Sequence, residues 1–195
     1  MIVTIDGPAG SGKSTAARGL AARLGYEFLD TGAMYRAVGY GLIEANIDFA
    51  DERRVVDFLN HSKLDMPANG HIIINGQDVT QAIRTSAIAD AASRVAVSSY
   101  VRAVLVGWQR FVAHDRKMVC EGRDQGTVVF PDSPCKFYLD ATVSTRAKRR
   151  WTELQSKGAQ VTLAQVEEEI AARDFRDKNR QVGPLQVPKG AIVLH

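Results

Sequence analysis

The chain is poor in cysteine, with only Cys120 and Cys135 in 195 residues. That excludes a small disulfide-stapled fold, and the two cysteines fit no metal-binding spacing. Both read as buried, reduced thiols. No apolar run approaches the roughly 18 residues of a membrane-spanning helix, so no membrane partner is expected. The opening "MIVTIDG" has neither the charged start nor the long apolar stretch of a secretion signal, and a cytoplasmic location is expected. Net charge is only +3, too little by itself to argue for a nucleic-acid partner. Internal repeats and low-complexity tracts are also missing. What remains is 45% hydrophobic and 24% charged, the composition of one globular domain of ordinary size, with room for a small insert.

Hydrophobic periodicity gives the organisation. "MIVTID", "YEFLD", "KMVCEG", "CKFYLDA" and "AIVL" read as strands, the central ones as buried runs. "KSTAARGLAARLG" has helical spacing and ends at Gly25, "TGAMYRAVGYGLIEAN" and "DERRVVDFLNHS" follow as helices, and two more cover about 86–97 and 99–113, with Ser99 as N-cap of the second. "VSTRAKRRWTELQSKG" is a basic helix ending at Gly158, and a further helix begins at Thr162. Between them, residues 63–80 change character: "NG" at 69–70 and again at 75–76 flanks "HIIIN", the mark of a small hairpin insert. Strands alternating with helices predict an α/β fold with a parallel sheet.

"GPAGSGKST" matches G-x-x-x-x-G-K-[ST] after a strand and before a helix, the context that the motif demands. Gly7, Gly10 and Gly12 let the backbone wrap closely, and together with Pro8, Ala9 and Ser11 they form a loop whose N–H groups face phosphates. The following helix adds its dipole. Lys13 brings charge to the outer phosphates, Ser14 offers a hydroxyl to magnesium, and Thr15 supplies a second hydroxyl nearby. A regulatory GTPase would carry N-K-x-D after a later strand; the only "KN" is Lys178-Asn179. A motor or transporter would be larger. A small-molecule kinase is the reading that fits.

The acceptor follows from the charges. From Arg146 to Arg180 there are nine Lys/Arg against six Asp/Glu. Arginines stand at 36, 84, 102, 110, 123, 146, 150, 173, 176 and 180. An alcohol acceptor needs a general base. A phosphate monoester, whose second pKa is about 6, is already ionised and needs cations to hold two charged groups together. Arginine suits bidentate phosphate contacts.

"FLDTGAMYR", "IRTSAIADAASRVA", "EGRDQGTVVFPDSPCKFYLDA", "RAKRRWTEL" and "RDFRDKNR" occur in the order and at the spacing of the bacterial cytidylate kinases, which the whole chain closely resembles. The resemblance implies a P-loop nucleoside monophosphate kinase of pyrimidine nucleotide metabolism: a transferase, monomeric and cytoplasmic, using ATP with Mg2+ to phosphorylate CMP or dCMP. It implies a single domain over 1–195, with core at 1–62, 85–142 and 181–195, an insert over about 63–84 and a helical lid over about 143–180. Position by position, it places Thr31, Tyr35, Arg36, Arg123 and Arg180 around the CMP phosphate, Ser93, Arg102 and Asp124 at cytosine, and Arg173 and Asp177 at the sugar. Catalytic roles fall to Lys13, Arg123 and the lid residues Arg146 and Arg150, and the metal goes to Ser14 with Glu121.

Chemistry supports part of this independently. Cytosine N4 donates and N3 and O2 accept, so a carboxylate such as Asp124 and an arginine or hydroxyl complement it. Asp177 lies one helical turn after Arg173, and Arg180 three residues further on shares that face. Arg149 is expected to face water and Arg84 to pair with the hairpin. Trp108 and Trp151 are expected to pack, and His61, His71 and His114 to sit unpartnered at the surface. Gly122 and Gly126 are expected to let the backbone bend, and "TVVFPD" only to pack and turn. Family members continue beyond "AIVL" with an aspartate, a turn and a helix; here His195 stands in the aspartate's place.

Overall fold

The computed structural model describes residues 1–67, 70–156 and 158–195. β1 (Ile2–Asp6) runs into the phosphate loop and α1 (Lys13–Leu24). β2 (Glu27–Asp30) feeds α2 (Thr31–Glu44), followed by α3 (Glu52–His61). Three short strands come next: β3 (Leu64–Asp65), β4 (Ile73–Ile74) and β5 (Gln77–Asp78). A 3-10 turn (Ala82–Arg84) leads to α4 (Ser86–Val95) and α5 (Ser99–Ala113). β6 (Met118–Gly122), a π-helical turn (Gln125–Val129), β7 (Cys135–Leu139), α6 (Val143–Ser156), α7 (Leu163–Asn179) and β8 (Ile192–Leu194) complete the order.

The main sheet is parallel throughout, in the order β2-β6-β1-β7-β8. β6 is buried along its whole length, which explains its continuous apolar run. Because β1 has β6 on one side and β7 on the other, the chain reverses direction across the sheet at β1. Crevices at such switch points open at the carboxyl ends of the strands. The loops after β1 and β6 and the start of α2, which follows β2 directly, all lie there.

Separate apolar clusters fix the parts that frame this crevice. Val3, Ile5 and Val119 pack on Ala17 and Ala21 of α1, seating the phosphate loop. Leu29, Met34, Leu42, Leu59 and Leu105 join the sheet to α2, α3 and α5, with Trp108 packed alongside. Ile72, Ile74, Val79 and Ile83 bind the insert to Ala33 and Ala37 of α2. Ala147, Val166 and Ile170 clamp α6 to α7, with Trp151 against them.

The insert is an antiparallel sheet ordered β3-β4-β5. Asn75 (φ 52) and Gly76 (φ 82) turn β4 into β5, the two left-handed residues of a type I′ hairpin. The other expected "NG" turn includes Asn69, outside the described residues. The end of the basic helix is likewise seen only to Ser156, since Lys157 lies outside them. Thr162 caps α7 in a full capping box with Gln165. The cysteines are unpaired, Cys120 buried and Cys135 partly so.

Several expectations change. The N-cap of α5 is Ser98, extended at φ −66 and ψ 122, whose hydroxyl accepts from Val101 N; Ser99 is already the first helical residue. The first half of "TVVFPD" packs and turns, with Val129 buried, but it does so as part of a π-helical turn that begins at Gln125 and ends at Val129. His71 is paired with Asp78 at 2.5 Å, and His61 and His114 lie against Asp57 and Asp115.

Ser98→Ala is expected to lower stability by about 1 kcal/mol in urea denaturation, whereas Ser99→Ala changes it by less than about 0.5 kcal/mol. The reverse order would return the cap to Ser99.

Candidate active site

The crevice is a cleft of about 900 Å³, reached by the phosphate loop, the heads of α2 and α4, the end of β6, and α6 and α7. At the loop, the backbone passes so close to β7 that a Cβ on Gly7 (φ 152) would sit 2.1 Å from the Leu139 carbonyl oxygen. Of the loop residues, Ala9, Gly10, Lys13 and Ser14 line the cleft, whereas Gly7, Pro8, Ser11 and Gly12 are not in its lining and Thr15 is an exposed residue of α1.

Lys13 is buried, and its Nζ donates to the Pro8 carbonyl at 3.0 Å. It stands 3.9 Å from Glu121 Oε2. Ser14 Oγ donates to Glu121 Oε1 at 2.6 Å. Burial, followed by the Arg123 charge, draws the Lys13 pKa from 10.5 down to about 7. Burial pushes Glu121 upward against the pull of Lys13. Glu121 Oε2 is buried without a hydrogen-bond partner. A hydroxyl and a carboxylate oxygen, side by side next to a phosphate loop, suit a hard cation completed by phosphate oxygens and water.

The second half of the cleft belongs to arginines. Thr31, first residue of α2, donates its hydroxyl to the Glu121 carbonyl at 2.7 Å, tying the α2 head to the β6 end. Arg123 Nε is bound to Asp177 Oδ2 at 2.9 Å. Burial alone would raise the Asp177 pKa, but Arg123, Arg173 and Arg180 overcome it and hold the carboxyl low. Arg173 is drawn down to about 10 by burial and by the neighbouring Arg123 charge. Its Nε is buried without a partner.

Further along, Arg102 is fully buried, pairs with Asp124 Oδ2 and donates to the Tyr35 hydroxyl at 3.3 Å. Arg180 stands 3.8 Å from Asp124 Oδ1 and 3.7 Å from Asp177 Oδ1. Burial lifts the Tyr35 pKa to about 12. Ser93 Oγ lines the same end, buried and without a hydrogen-bond partner. Thus Arg123 and Arg173 gather near Lys13, whereas Arg102 and Arg180 gather around Asp124.

Neither Gly122 nor Gly126 adopts a positive φ. They are required for space: a Cβ on Gly122 would meet Thr31 Oγ1 and the Gln125 side chain at 2.8 Å, and one on Gly126 would meet Pro188 at 2.9 Å.

Two residues that hold the site's arginines, Asp30 and Asp174, were not singled out in the sequence, and two that were, Arg84 and Arg149, sit elsewhere than expected. Asp30 ends β2, caps α2 by accepting from Ala33 N at 2.8 Å, and pairs with Arg36 at 3.2 Å and with Arg84 at 3.4 Å. Arg84 is therefore held by the core rather than by the hairpin, and both arginines line the cleft. A strand-terminal Asp followed by a helix carries a readable N-cap signal. Arg149, expected in water, donates to the Ser11 carbonyl at 3.2 Å. Asp174 pairs at 2.6 Å with Arg146, which also donates to the Ala9 carbonyl at 3.0 Å. Arg146 is thus buried behind the loop, while Arg150 lines the cleft and pairs with Glu153. Arg176 reaches across to Asp90 of α4 at 2.8 Å. Arg110 points away, to the Val128 and Val129 carbonyls.

A phosphate loop sharing one cleft with a second, arginine-rich anion grip defines a P-loop kinase of small phosphorylated acceptors. The chain belongs to the cytidylate kinase family: the family model described as Cytidylate kinase matches residues 3–195. Among curated relatives, cytidylate kinase 1 of Haemophilus influenzae is 43% identical over 197 residues, covering 100% of this chain and 85% of that one. The cytidylate kinase of Caldanaerobacter subterraneus is 43% identical, covering 98% and 85%. That of Mannheimia succiniciproducens is 41% identical, covering 100% and 88%.

The buried Lys13 has a consequence for pH. A bound polyphosphate stabilises the charged lysine, so binding takes up a proton wherever the free lysine is neutral, above about pH 7. Affinity for ATP is expected to fall between about pH 7.5 and 9, by at most tenfold per unit. Lys13→Arg, which stays charged, is expected to lose that slope. Titration calorimetry across this range checks it; a pH-independent affinity in the unaltered protein contradicts the depressed lysine.

Proposed function

We propose that the chain transfers the γ-phosphate of ATP to CMP or dCMP, giving ADP and CDP or dCDP, and that it does so as a cytoplasmic monomer. The observation that carries this is the convergence of two anion grips on one cleft, the phosphate loop with Lys13 and Ser14, and the arginines Arg36, Arg123 and Arg180 that share its lining. A nucleotide sensor or simple ATPase has no use for the second set.

The acceptor phosphate is ionised near neutral pH, so no general base is needed. Its oxygen attacks the γ-phosphorus in line, the bond to the β–γ bridging oxygen breaks, and ADP leaves. The loop amides and Lys13 hold the donor phosphates. Arg36 and Arg123 hold the acceptor, with Arg180 completing the set implied by the resemblance, and Arg150 covers the transferred group from α6. Arg146 braces the loop from behind while Asp174 fixes it. Ser14 and Glu121 would hold Mg2+, which supplies charge neutralisation on the phosphate oxygens. Catalysis is then positioning and electrostatics. The insert (63–84) and the lid (143–180) are the parts expected to close and exclude water. Among the described residues, no helix is long and apolar enough to cross a membrane.

At the base end, Asp124 keeps lone pairs free for the cytosine amino group beyond its arginine partners. In this reading the Ser93 hydroxyl, buried without a hydrogen-bond partner, and Arg102 donate to N3 or O2, and both line the cleft. Uracil would turn a carbonyl toward Asp124, and mismatches of this kind discriminate strongly. Arg173 and Asp177 are assigned to the sugar.

A coupled ADP-release assay with CMP, dCMP, UMP and AMP tests the reading. CMP and dCMP are expected to drive turnover; ADP release that needs no monophosphate would sink it. Lys13→Ala is expected to abolish transfer while the fold survives. Asp124→Ala is expected to weaken CMP by about 1–3 kcal/mol with ATP little changed, and equal losses for both would make Asp124 a structural residue.

A further inference from the structure

Asp6 is a buried acid that the proposed chemistry does not use. It is the last residue of β1, fully buried, and directly precedes the phosphate loop. In the parallel pairing it stands opposite Gly122, immediately before Arg123. Its two carboxylate oxygens reach further. Oδ1 accepts from Gln125 N and Oδ2 from Gly126 N, both at 2.8 Å.

These two N–H groups open the π-helical turn. The first donors of any helical turn have no partner within it and need an external acceptor. The residue ahead of the turn is Asp124, a type that ordinarily folds its own side chain back onto such donors. Here it makes no such cap. Its oxygens face Arg102 and Arg180 instead. The cap that Asp124 would provide locally comes from Asp6, 119 residues away for Gln125 and 120 for Gly126. The turn is also closely seated, since a Cβ on Gly126 would lie 3.0 Å from Thr4 Oγ1 and 2.9 Å from Pro188.

We propose that Asp6 is a positioning residue for the acceptor side: by capping the turn at Gln125 and Gly126, it releases the Asp124 carboxylate to face the cleft and fixes Arg123 beside it. Its backbone starts the donor loop, but its side chain governs acceptor binding and base selection. The inference rests on the reading of this cleft as a CMP site.

The test uses Asp6→Asn in the full chain. The amide keeps the shape but offers one acceptor, so one buried N–H faces an NH2 group. Unsatisfied buried donors of this kind carry effects of roughly tenfold or more. KM for CMP is expected to rise at least about tenfold and the preference for CMP over UMP in kcat/KM to shrink, with KM for ATP within about twofold. Gly126→Ala, which crowds the capped turn against Pro188 and Thr4, is expected to give the same split, and it decides the matter if Asp6→Asn does not fold. Titration calorimetry with CMP provides a readout independent of turnover. A lowered melting temperature with unchanged CMP affinity and unchanged base preference would make Asp6 merely structural and overturn the proposal, as would equal losses for CMP and ATP. If the unaltered protein forms no CDP yet binds CMP, the functional reading fails and the positioning role is still decided by the titrations; if it binds no CMP, both fall.

Discussion

The parallel pairing of β1 with β6 is the constraint on which the rest depends. Its register sets Asp6 opposite Gly122, so that two chain segments more than a hundred residues apart leave the sheet side by side at the same end. One continues into the phosphate loop and the other into Glu121–Asp124. Everything chemical is hung from these two exits. Ser14 and Lys13 meet Glu121 across the gap, Thr31 ties β2 to the same point, and Asp6 reaches over to the turn beyond. If the pairing slipped by one residue, Glu121 would turn to the opposite face of the sheet.

The charge arrangement above this frame is poorly explained as a device for stability. Buried ion pairs return little net stabilisation, because desolvation offsets their attraction. Yet Arg102 with Asp124, Arg123 with Asp177 and Arg146 with Asp174 are all largely buried. Buried polar atoms without hydrogen-bond partners accumulate here as well, including Ser93 Oγ, Arg173 Nε and Glu121 Oε2. A cleft that keeps cations dry and incompletely satisfied is prepared for anions that arrive from outside, and it strengthens every interaction made within it. Carboxylates such as Asp30 and Asp177 hold the arginines in place until then.

How much of this was legible depended on whether the determinant was local. The phosphate loop, the Asn75-Gly76 turn and the Thr162 capping box are encoded within a few residues, and the residue types carry their own explanation. The family motifs located Arg36, Ser93, Arg102, Arg123, Asp124 and Asp177, and the fold gathers them around one cleft. What escaped was set by partners distant in sequence. The π-helical turn in "QGTVV" has no local cap, since its donors are met by Asp6. Arg149 differs from its neighbours in "RAKRRW" only in the helix face it occupies, and that face is chosen by packing against the loop. Arg110 looked like one more phosphate ligand and instead serves two backbone carbonyls. Adjacent Ser98 and Ser99 offered the same hydroxyl, and only the extended backbone at Ser98 decided between them.

The central claim is that donor and acceptor phosphates meet end to end in one cleft. It is tested most directly by titrating the protein with adenosine and cytidine joined through a chain of five phosphates. The expected result is one molecule bound per chain, at least about 100-fold tighter than ATP alone, and competitive with both ATP and CMP. Affinity no better than that of ATP, with CMP still able to bind alongside, would contradict it.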